Sequence, residues 1–356
     1  MRTGAAEVEQ SPESLRASPP RRASAPSDRL SGTDIFPRLL ADIGGTNARF
    51  ALQTPEGIAP IVTLACADFP TLQDAIAQAL KRAGAPTVRH AAIAIATPVQ
   101  GDAVRMTNHH WAFSIAALRD AMDWDTLLVL NDFTALALAL PDLPPGHLQQ
   151  IGGGAAVADT AIALLGPGTG LGVSGLIPGP GGIWLPLSSE GGHVSHAPFD
   201  DHEIDLWRYA RGRFGHVSVE RLLSGPGLQL IHAWLGEEVG QTAPPPSPAD
   251  ITARALQGSD ARCAQTVDLF CALLGTVAAN LAITLGATGG VFIGGGIVPR
   301  LGALFAASGF RARFENKGRF SGYLARIPVF VIHHPDPAFL GAAKALEHHL
   351  ARFTSP

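Results

Sequence analysis

The sequence predicts an α/β protein of two related lobes that face each other across a cleft. Three observations carry that expectation. From Arg38 onward, short apolar runs alternate with segments of helical spacing, as strands and helices wound in turn require. A strand–glycine turn–strand unit occurs twice, at 39–52 and at 160–176, and each copy presents a Gly-Thr turn. A third glycine turn, Gly294-Gly295-Gly296, follows a short apolar run late in the chain.

Residues 1–36 stand apart from the rest. They are rich in Ser, Pro, Ala and Arg and nearly devoid of large apolar side chains. Such a segment cannot bury enough surface to offset its ordering entropy, so a disordered extension is expected. Its arginines could meet an anionic partner, but Glu7, Glu9, Glu13 and Asp28 nearly balance them.

The first lobe is expected over 37–142. Leu39-Leu40 with Ile43, then Ala48 to Leu52, read as two strands joined through Gly44-Gly45, and Ile58 to Leu64 as a third. Leu72, Ala75, Ile76, Ala79 and Leu80 recur at helical spacing within 72–83. A strand at 90–96, a helix at 114–122 and a strand at 126–130 follow. A helix then begins near Asp132 and stops before Pro141; Pro141, Pro144 and Pro145 mark the lobe boundary.

The second lobe is expected over 143–336. A strand at 160–165 enters the turn Gly166-Pro167-Gly168-Thr169-Gly170, and a strand at 171–176 leaves it. Helices are expected at 201–212 and 225–235, and the proline-rich stretch 240–249 reads as a surface loop. Val267, Phe270, Leu274, Val277, Leu281 and Leu285 form one apolar stripe along a long helix at 263–285. A strand at 290–293 runs into the third glycine turn, and a helix follows near Pro299. A strand at 329–332 and a helix at 339–350 close the chain, with 337–356 returning to complete the first lobe.

Composition narrows the function. With 46% hydrophobic and 16% charged residues, 356 residues can fill two sizeable cores. A net charge of -4 and a pI near 6.3 argue against nucleic acid or an anionic membrane as partner. Cys66, Cys263 and Cys271 are odd in number and too scattered for a disulfide framework or a zinc knuckle. They suit a reducing cytosol, and the N-terminus carries no signal-peptide core, so a cytoplasmic location is expected. Asp268, Asn280 and several threonines interrupt the long apolar helix, which reads as a core helix rather than a membrane span.

Four motifs carry candidate chemistry. In Ala41-Asp42-Ile43-Gly44-Gly45-Thr46-Asn47, two glycines free the backbone to bring bare N–H groups to a phosphate, and Thr46 and Asn47 add neutral donors. Asp42 would repel phosphate, so its natural partner is hydrated Mg²⁺; a tight hairpin with an Asp in its turn is the structural alternative. Gly168-Thr169-Gly170 repeats the arrangement, and two such clamps around a cleft suit a nucleoside triphosphate. No Gly-x-x-x-x-Gly-Lys-Ser/Thr segment exists. Gly170-x-Gly172-x-x-Gly175 matches a dinucleotide fingerprint, but a strand follows it where a helix is required. In Asn131-Asp132-Phe133-Thr134-Ala135, Asp132 sits between a strand end and a helix start. The fragment alone favours an N-cap; a functional Asp there would stay ionised and could accept a proton from a hydroxyl. Glu190-Gly191-Gly192-His193 and Glu220 supply carboxylates and an imidazole of the kind that pair with vicinal hydroxyls. His193, His196, Asp201 and His202 are too loosely spaced to indicate a metal.

Together these residues closely resemble the bacterial glucokinase family, a branch of the actin-like/ribonuclease H-like ATPase fold shared with hexokinase and Hsp70. The resemblance spans about 38–352 and rests on ordered motifs. They are Asp42-Ile43-Gly44-Gly45-Thr46-Asn47-Ala48-Arg49, Met106-Thr107-Asn108-His109 with Trp111, Asn131-Asp132-Phe133-Thr134-Ala135, Gly168-Thr169-Gly170-Leu171-Gly172 and Glu190-Gly191-Gly192-His193. Further on come Gly215 to Gly227, Gly294-Gly295-Gly296-Ile297 and Asn316-Lys317-Gly318-Arg319-Phe320. The cysteine-rich zinc motif of the family's other lineage is missing. The resemblance implies phosphoryl transfer from ATP to D-glucose with Mg²⁺, and a homodimer. It implies that Thr107, Asn108, Asn131, Asp132, Glu190, His193 and Glu220 bind the sugar and that Asp132 is the base. By the same resemblance Ala41 to Asn47 and Gly168 to Gly170 hold phosphates and metal, with Asp42 acting through water, and Gly294 to Ile297 border the adenosine. A kinase for another hexose, or a sugar-sensing regulator without turnover, would differ in the pocket or would lack Asp132.

The extension supplies no motif and no core residue. A chain starting at Ile35 is therefore expected to keep the melting temperature and turnover of the full chain. Thermal denaturation and a coupled ATP-consumption assay test this, and a large loss in either would show that the extension docks on the body.

Overall fold

The computed structural model describes residues 35–84 and 86–354; the extension expected over 1–36 lies outside these apart from Ile35 and Phe36. The chain opens as the first glycine motif requires. β1 (Arg38–Ile43) and β2 (Asn47–Thr54) form a hairpin in which Asp42 stands opposite Arg49 and Ile43 opposite Ala48. The single strand expected at 58–64 is instead two, β3 (Gly57–Ile58) and β4 (Val62–Ala65), both paired to β2. Pro60 lies in the break, where its missing N–H and fixed φ interrupt the ladder.

α1 (Leu72–Arg82) buries Leu72, Ala75, Ile76 and Ala79 on one face, and its N-cap Thr71 accepts from the Asp74 N–H. β5 (His90–Ile95) is buried throughout and runs parallel to β1. A small ribbon, β6 (Ala103–Arg105) with β7 (Ala112–Ser114), was not expected from sequence; its strands are too short to show alternation. α2 (Ile115–Ala121), β8 (Thr126–Asn131) and α3 (Asp132–Ala139) follow. The first sheet runs β3-β2-β1-β5-β8, with β4 also on β2.

The second sheet repeats that core. β9 (Leu148–Gln150) supplies one edge, β10 (Ile162–Pro167) and β11 (Leu171–Pro178) form the second hairpin, and β12 (Trp184–Pro186) the other edge. α4 (Asp201–Phe214), α5 (Val219–Leu222) and α6 (Gly225–Glu238) come next. The proline-rich loop is shorter than expected, because α7 (Pro248–Gln257) begins inside it. Ser247 caps α7 by accepting from the Asp250 N–H, and Pro248 sits where a helix needs no donor.

α8 (Ala261–Leu285) is the one helix among the described residues long and apolar enough to cross a membrane, and most of it is buried in the second core. β13 (Val291–Ile293) leads through α9 (Val298–Leu301), α10 (Ala303–Ala307), α11 (Phe310–Glu315) and α12 (Ser321–Leu324) to β14 (Val329–Ile332). In α11, Arg313 pairs with the carboxylate of Glu203, a residue of α4 that is 1% exposed. β13 and β14 run parallel to β10, so a hairpin followed by parallel strands occurs in both sheets: β2-β1-β5-β8 and β11-β10-β13-β14.

α13 (Pro337–Thr354) then returns to the first sheet and packs on α3, β5, β1 and β8. Ala94, Ala135 and Ala338 form a small-residue cluster there. A Cβ on Gly341 would lie 1.7 Å from the Ala135 carbonyl oxygen, so only glycine permits this approach. On its other side α3 packs against β11, where the Phe133 ring fills a gap left by two glycines. A Cβ on Gly172 would come within 2.1 Å of that ring, and one on Gly166 within 2.7 Å.

Gly172→Ala must therefore displace Phe133. It is expected to destabilise the protein by about 1–3 kcal/mol, the usual cost of overpacking, and Phe133→Leu in the same chain should recover part of the loss. Urea unfolding of the single and double variants checks this; a neutral Gly172→Ala would show that the contact does not hold α3.

Candidate active site

Both glycine turns close their hairpins, between Ile43 and Asn47 and between Pro167 and Leu171. In the first, the Gly44 N–H donates to the Asn47 carbonyl at 2.9 Å, and the Cys66 N–H to the Thr46 carbonyl at 2.8 Å. Thr46 and Asn47 are exposed. A Cβ on Gly45 would meet Asn108 Cβ at 3.1 Å, so the loop carrying Thr107 and Asn108 lies directly on the turn. Thr107 Oγ1 is 3.0 Å from Thr97 Oγ1, and Thr97 in turn donates to the Arg105 carbonyl. Ala41 and Ile43, grouped with the turn in the sequence reading, are fully buried, with backbones laddered to β2 and β5. They form its floor and present no side chain to a ligand.

Asp42 lies at the turn's base with its side chain 13% exposed. Its partner is Arg49, directly across the hairpin, and Arg49 Nη1 also donates to Asp336 Oδ1 at 2.5 Å. One guanidinium thus joins the first turn to the segment between β14 and α13. Burial raises the Asp42 carboxyl, and the charge of Asp336 adds to this while Arg49 opposes both.

In the second turn the Gly168 N–H donates to the Gly170 carbonyl at 2.8 Å, and Thr169 is exposed. The third turn locks against it. Gly294 donates to the Leu165 carbonyl and Ile297 to the Pro167 carbonyl, and Gly295 adopts φ +76°, where a Cβ would lie 2.4 Å from the Pro167 oxygen. Gly294 is buried against Leu136 of α3, so only Gly295 and Gly296 form an open surface. The helix expected at 225–235 is α6, and its place was not foreseen: its first residue, Gly225, donates to the Gly168 carbonyl at 2.8 Å, which sets the helix N-terminus beside the second turn. The glycines leave a cradle that side chains would fill, and the exposed hydroxyls with a helix N-terminus are the donor set that polyphosphate requires.

Asp132 is the first residue of α3. The capping role suggested for it belongs to Asn131, whose Oδ1 accepts from the N–H groups of Phe133 and Thr134. Asp132 Oδ1 accepts from the Phe133 N–H at 2.9 Å and from Asn131 Nδ2 at 3.0 Å. The helix N-terminus does not hold this carboxyl low, contrary to expectation. Burial dominates, with the Asp42 charge adding to it, and the pKa is raised to about 6.

Across the site, Glu190 precedes a single 3-10 turn, Gly191–His193. His193 stands between two carboxylates, with Nε2 3.9 Å from Glu190 Oε2 and Nδ1 3.9 Å from Glu220 Oε1. Glu220 has a second task that sequence did not reveal: its Oε2 accepts from the Leu171 N–H at 2.8 Å. A Cβ on Gly170 would lie 2.5 Å from that oxygen, so Glu220 is seated on the second glycine turn. A cavity of ≈ 160 Å³ is lined by Asn131, Thr134 and Glu190, together with Pro98 and Val99. Pairwise contacts thus link the predicted residues: Gly45 with Asn108, Asp42 with Asp132, Asn131 with Glu190 around the cavity, His193 with both glutamates, and Glu220 with the second turn.

Two sheets with the same hairpin-plus-parallel core, joined by α3 and α13 and presenting paired glycine turns, define a sugar kinase of the actin-like ATPase fold. The family profile of glucokinases matches residues 39–349. The glucokinase of Chromobacterium violaceum is 57% identical over 324 residues, covering 91% of this chain and 93% of the relative. That of Ralstonia nicotianae is 56% identical over 336 residues, covering 90% and 98%. Among solved structures, glucokinase from an Antarctic psychrotroph is 37% identical with a TM-score of 0.80, covering 88% of this chain and 99% of that one. Glucokinase from Balamuthia mandrillaris, solved with glucose, is 20% identical with a TM-score of 0.74 over 91% and 95%, and shares the fold. The chain belongs to the glucokinase family, and its activity is ATP-dependent phosphoryl transfer to glucose.

Arg49→Met would leave Asp42 and Asp336 facing each other without a cation. Stability at neutral pH is expected to fall by about 1–2 kcal/mol, discounted from the cost of breaking a buried pair because Arg49 is one-third exposed. The deficit should shrink in acid, as the Asp42 carboxyl, which burial already holds above its ordinary range, takes up a proton. Urea unfolding at neutral and acid pH decides it, and a deficit independent of pH would assign the effect to packing.

Proposed function

We propose that Asp132 is the general base that takes the proton of the glucose 6-hydroxyl. The observation that carries this reading is a half-buried carboxylate, raised to about 6, beside the Asp42 turn at the start of a helix fixed between the two sheets. A base works best when its pKa lies near the operating pH, and a loose phosphoryl-transfer transition state asks little more of it. Glucose would lie between Asp132 and the Glu190–His193–Glu220 group. Thr107, Asn108 and Asn131 would border it, the last with its amide already committed to capping α3 and to Asp132.

Thr46, Asn47 and Thr169 would donate to the phosphates of ATP, with Gly295 and Gly296 bordering the adenosine. Mg²⁺, when bound, would neutralise phosphate charge, and Asp42 would hold it through water once released from Arg49. The enzyme is proposed to work in the cytoplasm as a homodimer, without a nucleic acid or membrane partner. Exposed Ile177 and Leu185, paired on the β11–β12 edge, support a self-associating face.

Asp132→Asn keeps the shape but cannot take the proton. Turnover is expected to fall by about two to four orders of magnitude with little change in glucose affinity. The same substitution should stabilise the fold. The Asp132 carboxyl rises from 3.8 to about 6 on folding, so the stability it contributes is full below about 3.8 and lost as pH rises through about 6. The variant should therefore exceed the wild type by up to roughly 3 kcal/mol above pH 7 and by little in acid. Near-normal turnover in the purified variant would remove Asp132 from the mechanism.

Glu190→Gln is expected to raise KM for glucose by about tenfold, on the scale of one charged hydrogen bond. Glu220→Gln should raise KM for glucose and for ATP together, because its carboxylate also braces the second turn. Steady-state kinetics with each substrate varied separates the two; an unchanged glucose KM in both variants would place the sugar elsewhere.

A further inference from the structure

Cys263, one of three cysteines too scattered in sequence for a zinc knuckle, meets a histidine from another helix in the fold. His232 of α6, Asp260 before α8 and Cys263 in the first turn of α8 bring their ligand atoms within 4.8 Å of one another. It is the one such group among the described residues outside the cleft or within it. We propose that these three side chains form a binding site for a thiophilic divalent transition-metal ion, of which Zn²⁺ is the type, that clamps α6 to the start of α8.

The chemistry of the donor set supports this. His232 is 5% exposed, and its Nδ1 is buried without a hydrogen-bond partner. An orphaned buried nitrogen is costly unless something unseen satisfies it. Cys263 is fully buried, with its thiol beside Asp260. Asp260 Oδ1 is occupied as the α8 cap, accepting from the Arg262 and Cys263 N–H groups, which leaves Oδ2 for a cation. Tetrahedral Zn²⁺ holds nitrogen, sulfur and oxygen ligands about 3.5 Å apart, a modest contraction from the present spacing. Imidazole, thiolate and carboxylate are the ligand types that select such ions over Mg²⁺ or Ca²⁺. Binding would exchange the thiol proton for the metal and release it to solvent.

Arg254 is the competitor, with Nη1 3.8 Å from Asp260 Oδ2. Its side chain is half exposed and can move into water without loss of a buried contact. Three protein ligands leave one position for water, which fits a site at the edge of the core. The clamp would act on the helix whose first residue holds the second glycine turn.

The test uses the full chain, freed of metal by a chelator and titrated with Co²⁺ and then with Zn²⁺. One equivalent of Co²⁺ is expected to give a thiolate-to-cobalt charge-transfer band that Zn²⁺ abolishes. Cys263→Ser should eliminate the band, and His232→Gln and Asp260→Asn should each weaken Zn²⁺ binding at least about tenfold. Saturating Zn²⁺ should raise the melting temperature of the wild type and not of Cys263→Ser. Glucose turnover by each metal-free variant reports that it is folded. Two results would overturn the proposal: no stoichiometric band in the wild type, or Zn²⁺ affinity unchanged in folded His232→Gln and Asp260→Asn, which would place the ion elsewhere.

Discussion

The placement of α3 is the constraint on which the site depends. The helix leaves the last strand of the first sheet, yet its Phe133 ring is seated between Gly166 and Gly172 of the second. On its opposite side Ala135 meets Gly341 of α13 at an approach that leaves no room for a Cβ. Asp132 therefore has little freedom relative to either sheet. A larger residue at any of these three glycines would push α3 outward and carry Asp132 with it. The glycines at 166 and 172 look, in sequence, like part of a phosphate loop, but their work is packing.

That distinction explains what sequence could and could not disclose. Elements with strong periodicity were legible: the β1–β2 hairpin, the apolar face of α1 and the buried stripe of α8. So was the repeated hairpin, because each copy carries its own glycine turn. Pro60 should have warned that the third strand would break, and Ser247-Pro248 with Asp250 is a helix start that the neighbouring prolines obscured. The Asp42–Arg49 pair follows from hairpin register once the turn is fixed. Asp336 does not, since it joins that pair from 287 residues away. The seat of Glu220 on the second turn and the meeting of His232 with Cys263 are likewise products of the fold.

Burial raises both carboxylates at the cleft, but their surroundings differ. Asp42 has a guanidinium across the hairpin to oppose the effect, and Asp132 has only neutral hydrogen-bond donors and the added charge of Asp42. Two acids so placed separate into distinct roles, one held in an ion pair and one poised near neutral pH. The two acids are coupled through charge: the ionised Asp42 raises Asp132, so a change in the Asp42–Arg49 pair is felt at Asp132.

A second coupling is mechanical. One Glu220 oxygen holds the Leu171 N–H at the end of the second glycine turn, while the other faces His193. The turn that would hold the phosphates and the group that would hold the sugar are thus fixed to one rigid carboxylate. In phosphoryl transfer the protein contributes mainly position, since effective alignment of acceptor and phosphorus supplies most of the acceleration. A shift of Glu220 would misplace acceptor and donor in the same movement, so the array cannot adapt to a displaced hydroxyl without disturbing the phosphate turn. Selectivity for the acceptor and alignment of the donor are on this account a single property of the cleft.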